Sequence, residues 1–234
     1  MKRVLVVEDE AIIREFIVIN LKRAGYEVVE ATNGKEALEI INGDKTGFAV
    51  VLTDVMMPEM DGLELCKEIR TADRNTGVIM LSAKTQEMDK ISGLLNGADD
   101  YITKPFSPAE LIARVDSLQR RVEVLAKNAE AQPESAEISM GKFKLNLRRR
   151  MFYKDGELVE LTHTEYQIIE HLFNNPGVTI NRNDILEKVW GGAYVGDDKI
   201  VDVNIRRLRV KIEADPSSPE HLTTVWGIGY KWKA

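Results

Sequence analysis

The chain has 234 residues, 44% hydrophobic and 30% charged, with a formal net charge of −6; this is enough apolar material for two cores and too much for a wholly disordered protein. A single cysteine, Cys66, excludes an internal disulfide, and the three histidines, His163, His171 and His221, lack ligand spacing, so a Cys/His metal centre is excluded as well. No apolar run approaches the roughly 20 residues needed to cross a bilayer, and the N-terminus opens on a strand pattern instead of a signal peptide, so a cytoplasmic protein is expected.

Up to residue 121, short β-branched runs alternate with amphipathic stretches. Strands are expected at Arg3 to Val7, Glu27 to Ala31, Phe48 to Thr53, Val78 to Leu81 and Tyr101 to Thr103. Such alternation predicts an α/β doubly wound five-stranded parallel sheet covered by helices on both faces. Cys66, with Leu63 and Ile69 three residues away on either side, reads as helix packing.

Residues 122–137 lose the apolar period, gather Ala, Glu, Pro133 and Ser135, and read as a helix end running into a linker. Residues 138–234 follow a different grammar. Lys142 to Leu147 and Met151 to Lys154 are expected as strands, Lys154-Asp155-Gly156-Glu157 as a hairpin turn, and Leu158 to Leu161 as the next strand. Thr162 to Glu165 has the form of a capping box, Asn181 and Asp184 open a second helix, and a third runs from about Lys199 to Glu213. Leu222 to Trp232 reads as a closing hairpin, which makes this part an α+β winged helix-turn-helix domain. Charge divides the same way: 16 basic against 21 acidic residues over 1–121, 1 against 4 over 122–137, and 15 against 13 over 138–234. Only the last part is basic, as an anionic partner requires.

In a doubly wound sheet ligands sit beyond the carboxyl ends of the strands, where the strand order reverses. The first strand ends in Glu8-Asp9 and the third in Asp54, so adjacent placement would gather three carboxylates, which repel one another unless a cation intervenes. Hard oxygen donors beside an open position suit Mg²⁺. The fourth strand ends in Ser82 and the fifth in Lys104-Pro105, which add a hydroxyl and a cation; together these groups can accept a phosphoryl group onto a carboxylate. Asp61 before Gly62 reads instead as a turn or N-cap residue.

The segments VLVVEDE, TDVMMPEMDG, MLSAK and ADDYITKPFSPAEL resemble the CheY-like receiver domain of two-component response regulators. The resemblance implies that Asp54 takes a phosphoryl group from a sensor histidine kinase. It implies Mg²⁺ on Asp9, Asp54 and the Met56 carbonyl, with Glu8 acting largely through water, and phosphoryl oxygens held by Ser82 and Lys104. It also implies a cis Lys104-Pro105 peptide, and a switch in which the Ser82 hydroxyl moves inward and Tyr101 rotates behind it. Lys84 borders this site. Resemblance to the OmpR/PhoB subfamily further implies a homodimer through the helix after the fourth strand, the fifth strand and the helix that follows it. Its apolar patch would be Ile91, Leu94 and Ala113, with ion pairs Lys90 to Glu110, Asp100 to Arg114 and Asp99 to Arg121.

On the helix from Lys199, at about 100° per residue, Val201, Ile205, Leu208 and Ile212 share one face, which must be core. Lys199, Val203, Arg206, Arg207 and Val210 lie opposite, with Arg209 and Lys211 on the flanks, a mixture suited to a DNA major groove. Asp202 runs against this sign and fits as an arginine partner. LTHTEYQIIEHL, INRNDILEKVWG, VDVNIRRLRVKIE and TVWGIGYKW resemble the OmpR/PhoB effector domain, which implies double-stranded promoter DNA as partner and RNA polymerase contact through the loop Gly191 to Asp198. Departures from that pattern are Lys199, Ile200 and Asn204, and Trp226 where a minor-groove arginine is common; Lys231 and Lys233 remain as phosphate contacts. The expected function is phosphorylation-activated transcription regulation without enzymatic turnover. An aspartyl-phosphate phosphatase would use a similar nucleophile, but Met56 stands where its second acid belongs. DNA binding independent of phosphorylation is the other alternative, against which the acidic cluster argues.

Overall fold

The computed structural model describes residues 2–72, 76–83, 97–131, 136–192, 194 and 198–233, with backbone only over 124–131. Two compact units divide the chain, Met1–Val122 and Glu123–Ala234.

The first unit contains β1 (Arg3–Val7), α1 (Ala11–Arg23), β2 (Glu27–Ala31), α2 (Gly34–Gly43), β3 (Val50–Asp54), α3 (Gly62–Ala72), β4 (Gly77–Ala83) and β5 (Asp100–Lys104), followed by α4 (Pro108–Ala131). The five strands form one sheet in the order β2-β1-β3-β4-β5, every neighbouring pair parallel. Central β1 and β3 are buried at every position, as a sheet covered on both faces demands, whereas edge strand β2 is exposed at both its glutamates. Val4, Val6, Leu52, Ile79, Leu81 and Ile102 of the sheet share a core with Ile17, Val18 and Leu21 of α1 and Leu111, Val115 and Leu118 of α4. Cys66 is fully buried in α3.

In the second unit a four-stranded meander is formed by β6 (Glu137–Met140), β7 (Phe143–Asn146), β8 (Met151–Lys154) and β9 (Glu157–Val159), then α5 (His163–Phe173), β10 (Thr179–Asn181), α6 (Arg182–Trp190), α7 (Lys199–Ile212), β11 (Leu222–Val225) and β12 (Gly229–Trp232). The last hairpin adds to β10 in the order β10-β12-β11. Thr162 and Glu165 form a reciprocal capping box on α5, which satisfies two orphan donors locally, and Asn181 accepts from the Asp184 N–H to cap α6, which satisfies one. Phe143, Phe152, Phe173 and Trp232 stack into an aromatic core with centroids 4.7–5.7 Å apart, against which His221 packs edge-on at 4.8 Å.

Three elements differ from the sequence expectation. Helix α4 runs on to Ala131, and β6 begins at Glu137, so both ends of the expected linker carry regular structure. Strand β10 was not foreseen, because three residues are too few to display a period of two. Ala and Glu in residues 122–131 are good helix formers whatever their solvation.

Candidate functional site

The reversal in strand order falls between β1 and β3, which pair as far as Val7 with Thr53. Glu8, Asp9 and Asp54 therefore leave adjacent strand ends, and each offers a carboxylate oxygen within 4.8 Å of the others. The environments differ: Glu8 is fully buried and Asp54 is 8% exposed, while Asp9 faces solvent. Arg14 in the first turns of α1 holds the loop by donating to the Glu8 carbonyl at 2.8 Å. Beneath Asp54, α3 starts so close that a Cβ on Gly62 would lie 2.0 Å from the Asp54 carbonyl oxygen; only glycine fits there. Asp61 accepts from the Glu64 N–H at 2.8 Å, the N-cap role expected of it.

Lys104 closes the site. Its Nζ lies 2.7 Å from Asp54 Oδ2 and 3.0 and 2.8 Å from the two Glu8 oxygens, and the Lys104–Pro105 bond that follows is cis. Burial opposes the ammonium charge, but the two carboxylates outweigh it and raise the Lys104 pKa. Burial pushes Glu8 up to about 7, against the opposing pull of Lys104. Ser82 is buried at the end of β4, and its Oγ has no hydrogen-bond partner among the described residues. The cluster fits Mg²⁺ chemically: three hard oxygen donors meet, one of them the solvent-facing Asp9, and a buried carboxylate raised to about 7 gains from a cation. The Met56 side chain is 64% exposed, two positions beyond Asp54. Tyr101 is buried on β5. Lys84 lies outside the described residues.

In the second unit α7 buries Val201, Ile205, Leu208 and Ile212, the face expected to be core. Arg206 and Val210 are exposed, Lys199 is exposed at the N-terminal turn, and Val203 is half-buried. Arg207 is a correction to the outward placement read from the helical wheel: it is 6% exposed, its Nε is 3.0 Å from Glu165 Oε1, and its Nη1 donates to Asn204. Lys211 reaches the same carboxylate at 2.6 Å. Arg209 turns to the hairpin, donating to the Leu222 carbonyl and Thr224 Oγ1 at 2.8 and 2.7 Å, with its guanidinium over Tyr230. Asp202 does pair with an arginine, Arg182 of α6, at 2.8 Å. Ile200 and Asn204 are both interior. The loop Gly191 to Asp198 lies partly outside the described residues.

Residues 4–116 match the family described as response regulator receiver domain, and residues 156–232 match transcriptional regulatory protein, C terminal. The sensory transduction protein RegX3 of Mycobacterium tuberculosis is 39% identical over 99% of both chains. The chain belongs to the two-component response regulators of OmpR/PhoB type. The probable transcriptional regulator ycf27 of Porphyra purpurea is 43% identical over 98% of this chain and 93% of its own. Response regulator DrrB, an OmpR/PhoB homolog of Thermotoga maritima, covers all of both chains at 30% identity and a TM-score of 0.51. A RitR mutant shares the fold at TM-score 0.79 and 22% identity over 99% of both chains.

On the regulator's expected dimer face, Lys90, Ile91 and Leu94 lie outside the described residues. Of the described acids and arginines there, only Glu110 is partly exposed, its side chain at 32%. Asp99 and Asp100 are fully buried and Arg114 and Arg121 are 6% exposed. Asp99 holds Arg70 of α3 at 2.7 Å and accepts from the Val78 N–H. Asp100 and Glu110 both pair with Arg114 of the same chain, at 3.0 and 3.2 Å. Ala113 is exposed on α4. Sequence reasoning also missed a stripe on α1: Ile12, Phe16 and Ile19 are 84%, 38% and 41% exposed, and Phe16 lies 6.2 Å from Phe106, just beyond the cis bond. Their i, i+4, i+7 spacing was the available signal.

Proposed function

We propose that this regulator accepts a phosphoryl group on Asp54 from a histidine kinase, dimerises through its receiver unit, and then binds promoter DNA with the face of α7. The observation that carries the reading is the Lys104 ammonium fixed between Asp54 and buried Glu8 at the strand-order reversal. Asp54 is the acid that touches the Lys104 ammonium at 2.7 Å and, unlike Glu8, keeps some access to solvent. One of its oxygens would form the bond to phosphorus while the bond from phosphorus to the donor nitrogen breaks, leaving an acyl phosphate on Asp54 and the imidazole with the freed electron pair. Bound Mg²⁺, held by Asp9, Asp54 and the Met56 carbonyl with Glu8 through water, would neutralise charge on the transferring group. Lys104 and the Ser82 hydroxyl, which has no hydrogen-bond partner among the described residues, would hold phosphoryl oxygens, Ser82 drawing Tyr101 inward behind it. The exposed apolar stripe Ile12, Phe16 and Ile19 runs along α1, which begins two residues after Asp9, and supports a protein as phosphodonor, because a small-molecule donor needs no such surface.

Incubation with acetyl phosphate and Mg²⁺ followed by intact mass should add one phosphoryl group, and Asp54→Ala should abolish it. Failure to form the adduct in the wild type would sink the acceptor role. Footprinting of the phosphorylated chain on genomic DNA should reveal discrete protected sites, with RNA polymerase recruitment through the loop Gly191 to Asp198 tested at those promoters.

A further inference from the structure

Trp226 is the most exposed large apolar side chain among the described residues, at 90%, and Ile228 beside it is 55% exposed. Both sit on the four-residue turn between β11 and β12. The turn is closed by the Ile228 N–H donating to the Val225 carbonyl at 3.0 Å. Gly227, with φ +73°, takes the third position, where a positive φ is required. Trp226 at the second position is thus held at the corner of a fixed turn. The frame behind it is rigid: a Cβ on Gly229 would lie 2.0 Å from the Ile180 carbonyl oxygen, so β12 is pressed against β10. Arg209 ties the hairpin to α7 through Leu222 and Thr224, two residues short of Trp226.

That geometry sets what the indole meets. When the exposed face of α7 occupies a major groove, the hairpin that Arg209 ties to the same helix is held near the duplex, and its exposed turn would meet the neighbouring minor groove. An indole has one neutral N–H donor and no charge with which to pair a phosphate or sense a narrow groove. It can present a flat apolar edge between base pairs, and such wedges favour steps that unstack easily. Resting on the DNA-binding reading above, we infer that Trp226, supported by Ile228, is an apolar wedge that enters the minor groove flanking the α7 site and selects flexible pyrimidine–purine steps there.

The protein carries its own reporter. It has three tryptophans, and Trp190 and Trp232 are 1% and 0% exposed, so acrylamide quenching reads mainly Trp226. The full-length chain, with and without acetyl phosphate and Mg²⁺, is used to enrich duplexes from a random library, and the enriched duplex is titrated into wild type, W226A, W226F and W226R. The wedge requires that bound DNA shield the indole from acrylamide, that W226A bind about tenfold more weakly, and that W226F keep most of the affinity. It also requires TA or CA/TG steps beside the wild-type motif, replaced in a W226R selection by narrow A-tracts. If a motif is enriched but Trp226 stays open to acrylamide and W226A binds as tightly as wild type, the wedge is wrong and DNA binding stands. If no motif is enriched, the DNA-binding reading fails and takes the wedge with it. Trp226 is exposed, so unchanged circular dichroism of the variants is the check that the unit still folds.

Discussion

Glu8 spends no side-chain surface on solvent, yet it sits beside another carboxylate, and this sets a pH dependence. Burial lifts its pKa to about 7 from an ordinary 4.5. A carboxyl raised in the folded state contributes stability that is fully present below its unfolded pKa and is lost as pH rises through the folded one. Without divalent cation, the melting temperature of the wild type should therefore fall relative to Glu8→Gln between pH 5.5 and 8, and added Mg²⁺ should reduce the fall by favouring the carboxylate. Parallel melting curves for the two proteins across that range would overturn the assignment. Glu165 poses the opposite case. Burial alone would raise it, but Arg207 and Lys211 prevail and its pKa is lowered, so its contribution is present above the unfolded pKa and disappears as pH falls through the folded one. Glu165→Gln removes the buried charge that Arg207 and Lys211 both approach and should cost about 3 kcal/mol in urea unfolding of the second unit.

At the level of elements, α7 shows what a helical wheel can and cannot foretell. Its core stripe was legible because Val201, Ile205, Leu208 and Ile212 repeat at three and four residues, a property of the helix alone. Arg207 was misplaced because its position is decided by Glu165 on α5, a partner that no local period announces. Asp99 and Asp100 show the same effect: charge suggests a solvated surface, and partners such as Arg70 and Arg114, which no local period announces, make burial tolerable. The strand ends that deliver Glu8, Asp54, Ser82 and Lys104 were readable, since apolar runs stop at those residues, but the adjacency of β1 and β3 was only a condition until the order β2-β1-β3-β4-β5 met it, because doubly wound sheets occur in more than one strand order. The outward residues of α7 then carry a prediction. Arg206→Ala should weaken binding to an enriched duplex by about 1–3 kcal/mol and relax preference at one base pair, read by fluorescence anisotropy at fixed salt. Lys199→Ala should weaken binding to all duplexes alike and flatten the salt dependence, as loss of a phosphate contact does. Equal, sequence-independent losses for both variants would deny Arg206 a base contact.

Across the whole molecule, charge is divided between the parts: −5 over residues 1–121 and +2 over 138–234. A +2 unit has little long-range attraction for DNA, and the acidic receiver opposes approach, so a single copy should bind weakly at physiological salt. Joining two copies through their receivers changes this without any new contact to DNA, because the second half-site is then met at an effective concentration on the order of millimolar. For the proposed receiver dimer, the ion pairs at Arg114 must be shared or exchanged between copies, since Asp100 and Glu110 already engage it within one chain. Phosphorylation with acetyl phosphate and Mg²⁺ should then tighten binding to a duplex with two half-sites one helical turn apart by about 10–100-fold, and leave affinity for a single half-site almost unchanged. Shifting one half-site by half a turn, about five base pairs, should remove the gain, because both α7 faces can no longer enter the groove from one side of the duplex. An equal gain on the single half-site would place the effect of phosphorylation inside one copy, and the receiver dimer would have no part in DNA affinity.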